Sequence, residues 1–237
     1  MANQLTRVAP EYRDVPVPRP ELVRWTHALH SSQTLRTETT RLLTLFSEVI
    51  TLPALSHLAG AIALDWYKQP LYDIDSREWP NTEVGELISR GKYKYEFDPQ
   101  PQAQVGRDVV GRMCRAIVSH PGLRAADVVL NVPGHDSSQV SFGGRMAATV
   151  ARDTRKPHVR VRAKDSFRPS AKSAEPEQRA EAVRGQFSVS QSLDGMTALI
   201  ADDIFRSGES MREVARAAAA AGANIVYGIC AVRTMRG

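Results

Sequence analysis

The adjacent carboxylates Asp202 and Asp203 are the strongest chemical feature of this 237-residue sequence. They lie in the segment TALIADDIFRSGES, where an apolar run leads into the acids and a glycine turn follows them. In an open parallel sheet, ligands bind at the carboxyl ends of the strands, which is where this pattern places the two acids. Carboxylate oxygens accept hydrogen bonds from neighbouring hydroxyl groups. The pattern therefore favours a binding site for a sugar diol.

The residues after the two acids suit a phosphate group. Arg206 is followed by Ser207, Gly208, Glu209 and Ser210, at the predicted start of a helix. Backbone N–H groups and small hydroxyl side chains at a helix N-terminus surround one point and bind phosphate. Paired acids alone are often a solvated turn, but the apolar strand before them and the Ser-Gly-x-Ser start after them weaken that interpretation. The whole segment matches the two halves of ribose 5-phosphate.

The segment ALIADDIFRSGES resembles the phosphoribosyl pyrophosphate (PRPP) motif of type I phosphoribosyltransferases, an apolar strand, two acids and a Thr-Thr-Gly-x-Thr stretch. Upstream segments resemble the ComF-like subfamily, and the whole resemblance covers residues 85–237. These segments are ELISRGKYKYEFDPQPQAQVGRDVVGRM, DVVLNVPGH with SFGGRMAATVA, and RVRAKDSFRPSAKSAEPEQRAEAVRGQFSV. The resemblance implies the α/β type I phosphoribosyltransferase fold, a mainly parallel sheet flanked by helices, behind an N-terminal helical or irregular extension.

The resemblance also implies an activity, the transfer of phosphoribose from PRPP to an unidentified acceptor, with Mg²⁺ and release of pyrophosphate. It assigns the ribose hydroxyls to Asp202 and Asp203 and the 5-phosphate to residues 206–210. Two alternatives stay open. One is a non-catalytic PRPP or nucleotide sensor, and the other is a ComF-like DNA-processing accessory protein. The net charge of +5 permits a single-stranded nucleic-acid partner without requiring one.

The segment Pro133, Gly134 and His135 is predicted to line the pyrophosphate pocket, where backbone N–H groups face the diphosphate. An ordinary Pro-Gly turn is the alternative, and His135 either binds phosphate or caps the next element. Asp136 is predicted to assist Mg²⁺ through a water molecule, because this ion keeps much of its hydration shell.

Residues 163–182 are polar and charged and predict a mobile surface loop. Arg162, Lys164 and Arg168 are candidates to neutralise the departing pyrophosphate when such a loop closes. A solvated charged loop is an equally good interpretation of each.

Lys92 and Lys94 alternate with tyrosines in a second basic segment. These residues either contact pyrophosphate and stack on a base or form a half-exposed strand, and the strand is the favoured interpretation.

Hydrophobic periodicity predicts alternating helices and strands. The predicted helices are 37–50, 53–67, 103–119, 141–152 and 210–221, and the predicted strands are 127–132, 158–162, 196–201 and 224–232, with a turn at 202–210. Residues 1–84 are predicted to be an N-terminal extension with hood or cap elements, and residues 85–237 the phosphoribosyltransferase-like core.

Composition excludes several classes of protein. Hydrophobic residues make up 42% and charged residues 24% of the chain, which is typical of a globular protein. No stretch approaches the roughly 18–20 apolar residues of a membrane span, and two cysteines make no disulfide framework. We expect a cytoplasmic protein without a membrane partner, and a homodimer stays open.

Overall fold

A computed structural model of the chain describes residues 13–15, 28–30, 37–71, 73–136, 139–165 and 183–235. The strands in these ranges are β1 (Arg13–Val15), β2 (Ala28–His30), β3 (Ile50–Thr51), β4 (Gly60–Trp66), β5 (Val128–Asn131), β6 (His158–Val159), β7 (Val161–Ala163), β8 (Phe187–Val189), β9 (Thr197–Phe205) and β10 (Ile225–Arg233). The helices are α1 (Thr37–Glu48), α2 (Glu83–Ser89), α3 (Pro99–Ser119), α4 (Pro121–Arg124), α5 (Phe142–Asp153) and α6 (Glu209–Ala220). A π-helical turn, Arg90–Lys94, directly follows α2.

A six-stranded sheet forms the centre of the fold, in the order β3-β4-β10-β9-β5-β6. Its strands run parallel except β3, which lies antiparallel to β4 at one edge. Two further antiparallel pairs, β1–β2 and β7–β8, lie outside this sheet. The α/β architecture with a mainly parallel sheet is therefore confirmed.

The two faces of the sheet are covered by different helices, because successive side chains of a strand point to opposite faces. Leu199 of β9 packs in one cluster of buried residues with side chains of α1, α2, α3 and α5. Its neighbours Ala198 and Ile200 pack in a second cluster with side chains of α6. Burial on both faces explains why β9 and β10 are nearly continuous apolar runs.

The prediction of a helix at 53–67 was wrong, because residues 60–66 form β4 in the main sheet. β4 pairs in parallel with β10, with Ile62 opposite Ile229. A short apolar run fits a helix or a strand by periodicity alone, and pairing with β10 decides between them. The sheet thus includes strands on both sides of the predicted domain boundary at residue 85, and the division into two units stays a prediction.

The other predicted helices and strands correspond to observed ones, with two differences. The predicted strand 158–162 is interrupted, because residues 158–159 form β6 in the main sheet and residues 161–163 form β7, which pairs with β8. The second difference lies at the end of β9. The acids Asp202 and Asp203 were predicted to begin a turn, but β9 continues to Phe205. Parallel pairing with β10 extends that far, since Phe205 lies opposite Arg233.

Within the described ranges, the search for a helix with the length and apolar character of a membrane span found none.

Candidate functional site

The carboxyl ends of β5 and β9 meet at one edge of the sheet. Asn131, the last residue of β5, lies opposite Ala201 of β9, so the segment after β5 begins beside Asp202. Gly143, in the first turn of α5, lies against both acids. A Cβ atom at Gly143 would stand 3.1 Å from Asp202 Oδ1 and 3.3 Å from Asp203 Cγ. The two predicted catalytic residues therefore lie where β9, the β5–α5 segment and α5 converge.

Lys92 is a member of this site, although the sequence analysis gave a ligand-binding role only as the less favoured alternative. Its Nζ donates a hydrogen bond to Asp203 Oδ2 at 2.7 Å, and Asp203 is only 5% exposed. The favoured interpretation of Lys92 and Lys94 as part of a strand was wrong, because both lie in the π-helical turn. The two partners are 111 residues apart, so no local pattern could have indicated the pair.

Contacts from α3 and α5 hold the π-helical turn in place. A Cβ atom at Gly91 would stand 2.4 Å from Phe142 Cζ, so the close approach of turn and helix requires glycine. The carbonyl of Gly91 accepts a hydrogen bond from Gln102 Nε2 at 2.7 Å. Arg145 Nη2 donates in turn to Gln102 Oε1 at 2.8 Å. These contacts fix the backbone on which Lys92 reaches Asp203.

The two acids have different electrostatic surroundings. Desolvation raises the pKa of Asp202 well above its usual value, and the neighbouring Asp203 raises it further, while Lys92 opposes both effects. Burial would lower the pKa of Lys92, but the charges of Asp203 and Asp202 raise it above its ordinary value. The Asp203 backbone N–H donates to Asp202 Oδ1 at 2.9 Å. Lys92 and Asp203 thus form an ion pair, while Asp202 retains a proton more readily than an ordinary aspartate.

Residues 206–210, here called the phosphate loop, connect β9 to the N-terminus of α6. Asp202 and residues 204–211 line a pocket of about 110 Å³ at this loop, together with Val183. The first N–H groups of a helix have no partner within the helix. In α6 the Arg212 N–H already bonds to the Gly208 carbonyl, which leaves the N–H groups of residues 209–211 for a ligand. The predicted phosphate-binding residues therefore surround one pocket, which Asp202 shares.

The charge of Glu209 in the phosphate loop is compensated within α6. Its carboxylate forms an ion pair with Arg212, one helical turn later. This pair reduces the repulsion that a carboxylate beside the loop would exert on a phosphate group.

Gly208 gives the phosphate loop its shape, and we expect Gly208→Ala to lower the free energy of unfolding by about 1–2 kcal/mol. Gly208 has a φ of +84°, a backbone conformation that disfavours any Cβ atom. That atom would also stand 2.7 Å from Phe205 Cζ and 2.9 Å from Leu55 Cδ1. Urea unfolding measures the loss.

Gly195→Ala is the matched control for Gly208→Ala. Its φ is +72°, but a Cβ atom at Gly195 would meet nothing within 4 Å. Gly195→Ala introduces the backbone strain without the steric overlap, so we expect it to lower the free energy of unfolding by less than Gly208→Ala does. Equal losses in the two variants would contradict the packing role assigned to Gly208.

The predicted pyrophosphate segment lies between β5 and α5, at the same edge of the sheet as the acids. A Cβ atom at Gly134 would stand 3.0 Å from Ser141 Cβ, so the segment folds back onto the start of α5. Ser141 caps α5 by accepting the Gly144 N–H at 3.0 Å. Pro133 is half-buried and His135 is exposed. Their contact with a pyrophosphate group stays a prediction.

Asp136 is a half-buried carboxylate in the same segment. Among the described residues, no group of three His, Cys, Asp or Glu side chains could hold a metal ion. Mg²⁺ commonly binds through one or two carboxylates, water and substrate phosphates rather than an all-protein cage. A single carboxylate in this segment fits that mode of binding.

The basic residues predicted to lie in a loop fall partly on the antiparallel β7–β8 pair. Arg162 is an exposed residue of β7, and Lys164 follows it, with its N–H bonded to the Gln186 carbonyl at 2.8 Å. β7 begins beside the end of β5, because the Val161 N–H donates to Asn131 Oδ1 at 3.1 Å. The third candidate, Arg168, lies outside the described residues.

Comparisons with known proteins gave a structural likeness only. No family model matches the chain, and no curated protein matches it. Among solved structures, it is similar to the purine phosphoribosyltransferase from Pyrococcus horikoshii Ot3. The sequence identity is 12% and the TM-score is 0.37, and the match covers 54% of this chain and 81% of the other.

Proposed function

We propose that the chain binds PRPP and transfers its phosphoribosyl group to an acceptor, with release of pyrophosphate. The observation that carries this proposal is the pocket at the end of β9. Asp202 and the N-terminus of α6 line one cavity of about 110 Å³, so an acid and a set of N–H donors face one ligand. Ribose 5-phosphate carries hydroxyl groups and a phosphate on one small molecule, and thus matches both parts of the pocket.

The acids and the phosphate loop have separate roles in this proposal. Asp203, which is paired with the ammonium group of Lys92, accepts a hydrogen bond from one ribose hydroxyl. Asp202 contacts the other hydroxyl and, when protonated, also donates a hydrogen bond. The 5-phosphate accepts hydrogen bonds from the N–H groups of residues 209–211 and from Ser207 and Ser210.

The reaction breaks the bond between ribose C1 and the pyrophosphate oxygen, and the electron pair leaves with pyrophosphate. The acceptor donates an electron pair to C1, which carries positive charge in the transition state. The carboxylate of Asp203 stabilises that charge, and positioning supplies much of the remaining rate enhancement. The Pro133–Asp136 segment receives the pyrophosphate, with Arg162 and Lys164 as nearby cations. Asp136 would hold Mg²⁺ through a water molecule, and the ion would supply positive charge to offset that of the diphosphate.

A PRPP or nucleotide sensor is the second candidate, and the ion pair between Lys92 and Asp203 favours it. A diol that bonds to Asp203 competes with Lys92, whose backbone lies in the π-helical turn. Ligand binding would then shift this turn without any chemical step. Pyrophosphate release separates the candidates, because a sensor binds PRPP and releases no pyrophosphate with any acceptor.

Isothermal titration of the full chain with PRPP and Mg²⁺ tests the proposal. We expect saturable binding that is lost in the Asp202→Asn/Asp203→Asn double variant. Asp153→Asn is the matched control, since Asp153 is exposed at the other end of α5 and pairs with Arg152. Absence of binding to the folded wild-type protein would contradict the proposed function. If binding is found, a pyrophosphate-release assay with nucleobase and amine acceptors follows.

A further inference from the structure

A second cavity, of about 250 Å³, lies along α6 beside the phosphate loop. One wall consists of side chains of α6, and the other consists of residues 56–57 and 183–184. We call it the arginine cavity, because Arg184, Arg212 and Arg216 line it. None of the roles proposed above uses these three side chains to bind a ligand.

The ion pairs of α6 present their cations to the cavity and bury their carboxylates. In the pair of Arg216 with Glu213, the side chains are 43% and 8% exposed. In the pair of Arg212 with Glu209, they are 40% and 19% exposed. Glu213 Oε1 also accepts the Gly185 N–H at 2.7 Å, so this carboxylate is engaged from two sides. The accessible part of each pair is therefore mainly guanidinium.

Arg184 adds a third guanidinium from the opposite wall. Its side chain is exposed, and it forms no ion pair with any residue in the described ranges. Three arginines and two glutamates line the cavity, which leaves one positive charge in excess. Planar guanidinium groups with several N–H donors match the oxygens of a phosphate group. The volume far exceeds the ~30 Å³ of one water molecule, so a phosphate with a small organic group fits.

The arginine cavity is separate from the phosphate pocket. Glu209 and Val183 line both cavities, while the remaining lining residues differ. Glu209 with its partner Arg212 stands between the two, so its carboxylate separates an anion in one cavity from an anion in the other. A phosphate at the α6 N-terminus uses backbone N–H groups, whereas a phosphate in the arginine cavity uses guanidinium groups.

We propose that the arginine cavity is a second anion site, which binds the phosphate group of a small phosphorylated metabolite through Arg184, Arg212 and Arg216. The proposal does not depend on the proposed function, because it rests on different side chains.

A ¹⁵N NMR titration of the full chain with inorganic phosphate tests this site. The Nε–H signals of Arg184, Arg212 and Arg216 report on the arginine cavity, and the backbone amides of residues 207–210 report on the phosphate loop. We expect the arginine signals to shift and saturate. Arg184→Gln should weaken the binding seen by Arg212 and Arg216 about tenfold, the effect of one charge-assisted hydrogen bond.

The control variant is Arg107→Gln, on the exposed surface of α3, which should leave both sets of signals unchanged. Arginine signals that do not saturate, or that respond equally in wild type and Arg184→Gln, would overturn the second site. Saturation of the arginine signals without any response of the loop amides would support the second site and count against the proposed function. A response of the loop amides alone would support phosphate binding at the phosphate loop and would overturn the second site.

Discussion

Replacement of Lys92 by methionine is expected to lower the free energy of unfolding by about 2–3 kcal/mol. Asp203 is 5% exposed, and the ammonium group of Lys92 lies 2.7 Å from its carboxylate. Without the ammonium group, the carboxylate stays buried beside Asp202 with much less compensation of its charge. We place the loss below that of a fully buried pair, because the Lys92 side chain is 33% exposed. Urea unfolding at neutral pH measures it.

A double-mutant cycle distinguishes the ion pair from a general packing effect. Asp203→Asn removes the charge that Lys92 compensates, so the added loss from Lys92→Met should be much smaller in that background. Lys94→Met is the matched control, because Lys94 is exposed and its Nζ lies 5.7 Å from the centre of the Tyr95 ring. We expect the control to change stability by about 0.5 kcal/mol or less. Additive effects of the Lys92 and Asp203 substitutions would contradict the ion-pair role.

A pH-dependent loss of stability is expected from His120, of about 2 kcal/mol between about pH 7.5 and about pH 5. His120 is 1% exposed and packs between the rings of Phe46 and Tyr227. Burial lowers its pKa from 6.5 to about 4. The unfolded chain therefore binds this proton more readily than the folded chain. The stability from neutral His120 is complete above about pH 6.5 and is lost as the pH falls toward 4.

Urea unfolding over this pH range, in wild type and His120→Gln, isolates the contribution of His120. The imidazole Nδ1 accepts the Leu123 N–H at 3.3 Å, so the variant also loses some stability at neutral pH. The informative quantity is the pH slope, which should be shallower in His120→Gln. His135→Gln is the comparison variant, because it makes the same replacement at an exposed histidine, and the slope should change more in His120→Gln. An unchanged slope in His120→Gln would show that His120 is not the group that titrates.

Much of the site could be predicted from one continuous segment of sequence. The apolar run before Asp202 and the Ser-Gly-x-Ser start of α6 are local signals, and they placed the acids and the phosphate loop at one edge of a parallel sheet. The α/β class could be predicted in the same way, because helices and strands differ in the spacing of apolar residues within short segments of the chain. The need for glycine at position 208 is also local, because the backbone has a positive φ there, at the start of α6.

Tertiary structure decided the features that depend on residues far apart in the chain. The apolar run at 60–66 became a strand because β10 lies beside it, although its periodicity also fits a helix. Lys92 became part of the site because α3 and α5 hold the π-helical turn against β9. The different surroundings of Asp202 and Asp203 arise from burial and from that distant lysine. Periodicity and motifs report neighbours along the chain, whereas ion pairs, desolvation and strand pairing depend on neighbours in space.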